Sequence, residues 1–213
     1  MSSAVLINGY YVLPVGDLDD DEIDSNAVLI SRYLFARGWS KNAIAGMLGN
    51  MRAEAQCSPG RIQDDPWPAG YLPSNAEVIN STFSRGMGLV QWTPGRTTLV
   101  PFADSLGKLW YDGEAQLLRL IYEKDNNFEF IGTYVNGVFY TWRNFWQSTN
   151  NPGDLAEAFL RGYERPDNPD ATVANRRYYA NQYYGEINNI LLSVPVLVTI
   201  LNRKGTDKKC RPM

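Results

Sequence analysis

SKNAIAGMLGNMRAEAQCSPG, residues 40–60, is the stretch whose reading decides the fold. Ser40 is a good N-cap, because its hydroxyl can accept from the free N–H groups of a first helical turn. Ile44, Met47, Leu48 and Met51 recur at three- and four-residue steps, the period of one buried stripe on a helix. Gly46 and Gly49 leave the other face smooth enough for close packing. One more step of three from Met51 lands on Glu54, and Ser58-Pro59-Gly60 obliges the helix to end soon after. A carboxylate is therefore expected on the inward face of a helix, at its C-terminal end.

Outward from this helix the chain reads as mainly α, with small β or irregular parts. Upstream, VLINGYYVLP places Asn8-Gly9 between apolar residues, the signal for a tight hairpin turn. The acidic run from Asp17 to Asp24 suits the first turns of an amphipathic helix through Ala27, Ile30 and Leu34, which Gly38 should end. Downstream, residues 61–85 are rich in Pro, Gly, Asn and Asp and read as an irregular lobe. Met87 to Trp92 is expected to be a short strand or extended segment closed by Thr93-Pro94-Gly95. Helices are expected over 97–106, over 113–124 through Ala115, Leu118, Ile121 and Tyr122, over 151–166, and over 171–185. The aromatic-rich stretch 128–146 reads as core and hairpin packing. The expected organisation is a hairpin or arm over 1–16, one domain over 17–186, and an apolar arm with a basic tail over 187–213.

Composition narrows the chemistry. The 213 residues are 44% hydrophobic and 20% charged, enough apolar surface for a sizeable core. There is no histidine, which removes Ser-His-Asp and Cys-His nucleophile systems and the HExxH zinc site at once. Any catalysis must run on carboxylates, tyrosines, lysines or backbone dipoles, and nothing calls for a metal or cofactor. A net charge of -3 and a pI near 5.1 give no overall positive field for nucleic acid. Cys57 and Cys210 form no cluster and no disulfide framework, so folding in a reducing compartment is expected. The N-terminus lacks the early basic residues of a signal peptide. The apolar run Ile187 to Leu201 contains Pro195 and falls short of the about 20 residues a membrane span requires; it reads as a strand or extended arm, packing on the N-terminal hairpin or docking on another protein.

GNMRAEAQCSPG at 49–60, GLVQWTP at 88–94 and YERP at 163–166 stand in order along the chain. A Glu closing a helix, a Pro five residues later, and a GLxQ segment ending in Thr-Pro resemble the first two motifs of the goose-type lysozyme and lytic transglycosylase superfamily. Within it, the whole frame is most similar to the phage tail lysozyme family, over roughly residues 25–185. The resemblance implies a lysozyme-like fold, a helical lobe and a small β or irregular lobe with a substrate groove between them. It implies a peptidoglycan-degrading muramidase carried at a phage tail tip or knob, a virion protein that meets glycan strands and neighbouring tail proteins. It also implies Glu54 as catalytic residue, with Gln91 and Tyr163 in the cleft, Gly88 allowing close approach and Trp92 as a wall or stacking face.

The chemistry suits that assignment. Breaking the β-1,4 bond between N-acetylmuramic acid and N-acetylglucosamine needs a proton on the bridging oxygen, and desolvation together with the negative end of a helix dipole would help Glu54 keep one. A hydrolase also needs a second group, for which Asp64 and Asp65 in the irregular lobe are candidates; a transglycosylase manages without, since the sugar's own 6-hydroxyl attacks. Glu164 and Arg165 read as an ion pair closing a helix. Two features depart from the superfamily pattern: Ala55 stands where Ser often follows the Glu, and Gly162-Tyr163-Glu164-Arg165 replaces Ala-Tyr-Asn. Without histidine the zinc peptidase found beside some such domains is not expected. Alternatives remain: an endolysin released at host lysis, or a structural or glycan-binding tail protein whose activity has decayed.

Overall fold

The computed structural model describes residues 5–7, 10–12, 18–68 and 70–192, with backbone alone for the first two segments and for 188–192. Strands β1 (Val5–Ile7) and β2 (Tyr10–Val12) pair antiparallel with Ile7 opposite Tyr10; the Asn8-Gly9 turn expected between them lies outside the described residues. Helix α1 (Asp20–Phe35) opens on a capping box, Glu22 N–H donating to Asp19 and Asp19 N–H to Glu22, and Gly38 follows it with a left-handed φ of 84°.

Helix α2 (Lys41–Ala55) runs through the centre and packs against α1, α7 (Pro152–Phe159) and α8 (Val173–Leu192). Its local logic is the one expected from sequence. Ala43 N–H donates to the Ser40 hydroxyl at 3.0 Å, and Ile44, Met47, Leu48 and Met51 are wholly buried. The two glycines set how closely the neighbours approach: a Cβ on Gly46 would meet Leu155 at 2.8 Å, and one on Gly49 would meet the Arg176 carbonyl oxygen at 2.4 Å. Asn50 Nδ2 adds a strut, donating to the Ala156 carbonyl at 3.0 Å. These four helices form the helical lobe, with Trp39, Trp142, Phe145 and Phe159 among its largest fully buried side chains.

The other side is less regular. Residues 56–68 and 70–94 wind through turns and the short helix α3 (Asn75–Asn80), leading to α4 (Gly95–Ser105) and α5 (Gly113–Asp125). The strand expected over Met87 to Trp92 is instead a tight turn: Met87 bridges both Ile62 and Trp92, while Gly88 and Gln91 take left-handed φ of 81° and 52°, which an extended strand does not accommodate. Gln116 holds the turn in place, its Oε1 accepting from Leu89 N–H at 2.8 Å and its Nε2 donating to the carbonyls of Pro59 and Trp110. The aromatic stretch supplies a hairpin of β3 (Thr133–Val135) and β4 (Val138–Tyr140), the short α6 (Trp142–Phe145) and core rings.

After α7 the chain widens into a π-helical turn, Leu160–Glu164, closed by Arg165 at a left-handed φ of 52°. The final helix α8 continues to Leu192, beyond the Gly185 end expected, so the first residues of the apolar segment are helical rather than extended; its remainder and Cys210 lie outside the described residues. Among the described residues no helix is long and apolar enough to cross a membrane. The molecule is thus a mainly α, lysozyme-like fold with a helical lobe and a smaller irregular and β-containing lobe.

Candidate active site

Glu54 sits one residue from the C-terminal end of α2. Its side chain is 28% exposed, in contrast to Met51, one step earlier on the stripe, at 0%. Gly49 explains its main contact. Because that glycine lets α8 approach at the Arg176 backbone, the Arg176 side chain reaches Glu54 Oε1 through Nη2 as an ion pair. The same guanidinium stands with Nε 3.5 Å from Glu164 Oε2. Glu54 is therefore joined to Glu164 by one arginine that is itself only 4% exposed.

Glu164 lies on the wall of a pocket between the Gln91 turn, α5 and the π-helical turn, which Gln91, Thr98, Arg119 and Tyr163 also line. Gln91 and Tyr163 are thus brought together. The Gln91 amide braces its own turn, Nε2 donating to the Gly88 carbonyl at 2.8 Å and to that of Arg61 at 3.4 Å. Gly88 is buried, and what a Cβ there would strike is the Gln116 amide at 2.6 Å; its small size serves the packing of the turn. Trp92 is 6% exposed, with its indole N–H turned inward.

A buried cluster missing from the sequence reading organises this wall. Glu123 on α5 is completely buried, and it accepts from Trp92 Nε1 at 3.2 Å and from the Tyr163 hydroxyl. Arg119, one turn back, puts Nε 2.8 Å from Glu123 Oε1. Burial pushes the Glu123 carboxyl above its ordinary range, against the pull of Arg119 and the hydrogen bonds. Tyr163 is raised well above the usual phenol value, first by burial and then by the charge of Glu123, and its ring stacks on Phe159 at 4.6 Å. Tyr163 therefore faces its hydroxyl into the protein as a clasp between α5 and the π-helical turn. The signal that could have found the cluster is a Glu-Arg pair at an i, i+4 spacing in a helix flanked by apolar residues.

Asp64 and Asp65 lie in the irregular lobe and are exposed. Asp64 has Arg85 Nε 3.6 Å away, and Asp65 accepts from Trp67 N–H at 2.9 Å; neither lines the pocket. The expected Glu164–Arg165 pair does not form. The left-handed turn at Arg165 sends its guanidinium to Glu129 Oε2 at 3.1 Å, leaving Glu164 on the other side of the chain with Arg176.

The arrangement offers carboxyl chemistry at the junction of two lobes. Residues 25–187 match the family described as phage tail lysozyme, a range that contains Glu54, Gln91, Glu123, Tyr163 and Glu164. Morphogenesis protein 1 of Bacillus phage B103 is 41% identical over 149 residues, covering 70% of this chain and 36% of that protein. The chain spans about a third of the length of that curated relative. With three ordered motifs, a lysozyme-like fold and a match across most of its length, the chain belongs to the phage tail lysozyme family.

Proposed function

We propose that this protein cuts the glycan strand of peptidoglycan at the β-1,4 bond between N-acetylmuramic acid and N-acetylglucosamine, with Glu54 as general acid. It does so as a virion component at the phage tail, opening the wall locally for genome delivery. The observation that supports the reading is the position of Glu54: the motif glutamate ends the central helix partly exposed, and a single buried arginine links it to Glu164, a residue that lines the pocket together with Gln91 and Tyr163. Departure of the sugar oxygen requires a proton donor at hydrogen-bond reach, and the general acid–base contribution is about 10² to 10⁴ in rate. Gln91 and the rim of the pocket offer amide and carbonyl groups suited to hydroxyl and acetamido substituents.

The test is digestion of purified cell walls by the protein and by Glu54→Gln. Release of soluble muropeptides by the first and none by the second is expected; equal release by both contradicts the assignment. A second reading, a glycan-binding tail protein without activity, draws on the Arg176 contact, because an ion pair is made by the ionised carboxylate and proton delivery needs the acid. Wall binding with no release by the unaltered protein would favour it.

A further inference from the structure

Arg119 is held on several sides and open on one. Its side chain is only 9% exposed and lines the pocket between the Gln91 turn and the π-helical turn. Nε stands 2.8 Å from Glu123 Oε1, Nη1 donates to the Thr98 carbonyl, and the rings of Trp92 and Phe102 flank the guanidinium at 5.6 and 5.7 Å. Nη2 has no partner among the described residues, and it is not one of the atoms shut off from solvent. A rigidly held N–H donor is thus left unmatched at a pocket, where an acceptor of the right kind gains most.

The rest of the lining says what that acceptor is. The cavity is about 110 Å³, against about 300–1,000 Å³ for a pocket that takes a whole ligand, so it suits a substituent of a sugar rather than a ring. The charge of Arg119 is offset by Glu123, and that of Arg165 by Glu129 at 3.1 Å. No surplus cation draws an anion in, and an anion would also meet the Glu129 carboxylate, which lines the pocket too. A neutral oxygen such as an amide carbonyl fits better. Thr93 and Thr98 donate their hydroxyl hydrogens to the carbonyls of Gln91 and Pro94 at 2.9 and 2.7 Å, so each keeps only lone pairs, which accept an N–H. The buried side chains of Val90 and Trp92 add apolar lining for a methyl group.

Resting on the glycan reading above, we propose that Arg119 is a specificity-determining residue, its free Nη2 donating to the acetamido carbonyl oxygen of one sugar of the strand. A hydroxyl of Thr93 or Thr98 accepts the acetamido N–H, and the methyl group lies toward Val90 and Trp92. Arg119 takes no part in proton transfer; it selects which sugar is held. A sugar with a plain hydroxyl at its 2-position leaves the donor unmatched and the apolar lining unfilled, and loses affinity accordingly.

The experiment is calorimetric titration of the protein with triacetylchitotriose and with cellotriose, two β-1,4 trimers that differ only in carrying an acetamido group or a hydroxyl at each 2-position. The wild type is expected to bind the first about 10- to 100-fold more tightly, the worth of one hydrogen bond to a charged group. Arg119→Lys keeps a cation beside Glu123 but lacks the second donor arm, and should bind both trimers equally weakly. A purely structural arginine would weaken both alike and leave their ratio unmoved. Should Arg119→Lys not fold, Thr98→Val decides: loss of an acceptor lowers affinity for the acetylated trimer about 2- to 10-fold and spares cellotriose, and an unchanged ratio contradicts the proposal. Equal binding of the two trimers by the wild type, or binding of neither, overturns it. If such a protein still digests cell walls, the glycosidase reading stands without this subsite; a protein that prefers the acetylated trimer but releases nothing from walls keeps the subsite and loses the cleavage.

Discussion

Two glutamates near the pocket are treated in opposite ways: Glu123 is completely buried behind its wall, while Glu164 is one of the lining residues. Glu123 is surrounded by Arg119, Trp92 and Tyr163, so its burial is compensated and the cluster fastens α5 to the Gln91 turn and the π-helical turn. Among the described residues, Glu164 has only the far side of an arginine already committed to Glu54. A satisfied buried carboxylate rigidifies; an under-satisfied one keeps its proton more readily, because burial disfavours its charged form. The difference separates a fully compensated clasp from a poorly compensated carboxyl, although both are glutamates.

That contrast can be broken from either side. Glu123→Ala should have the largest effect, about 3–5 kcal/mol lost in urea denaturation, because Arg119 is left buried without its partner. Gly49→Ala attacks the other side of the comparison without touching the clasp: its Cβ meets the Arg176 carbonyl oxygen, and overpacking of about 1–3 kcal/mol is expected, with lower wall-digesting activity as Arg176 is pushed from Glu54. Ser40→Ala removes the cap of α2 and should cost about 1 kcal/mol with little change in activity per folded molecule.

The smallest effect on stability falls on Glu164→Gln, which removes a poorly compensated acid and should leave stability near neutral pH unchanged or raised. Its signature is in the pH dependence. The folded chain holds the Glu164 proton to about pH 8, whereas an unfolded glutamate releases it near 4.5. Between those values the unfolded state binds fewer protons, so this group's contribution is fullest below the window and stability falls as pH rises through it. Denaturant midpoints measured from pH 5 to pH 8.5 should decline in the wild type and decline less in Glu164→Gln. Equal slopes would mean that Glu164 titrates normally.

Legibility in the sequence followed the same division. Where the inward face is apolar, periodicity read it: the Ser40 cap, the α2 stripe and the placement of Glu54 at the helix end all follow from residue types at fixed spacings. On α5 the period was right and the face was wrong. Leu118 and Ile121 are only half-buried and Tyr122 is 52% exposed, while Gln116, Arg119, Leu120 and Glu123 turn inward. A face buried through ion pairs and hydrogen bonds carries no apolar signal, so the clasp stayed hidden. The Gln91 turn and the Glu164–Arg176 pairing were illegible for a related reason: both depend on left-handed residues and a π-helical turn that shift side chains off the ordinary helical or extended register.

The most direct trial of the account is mass spectrometry of the sugars released from purified peptidoglycan by the wild type and by Glu54→Gln. The account predicts disaccharide muropeptides cut on the reducing side of N-acetylmuramic acid from the wild type, ending in a reducing or a 1,6-anhydro sugar, and none from the variant. The same products in the same amounts from both proteins would contradict it.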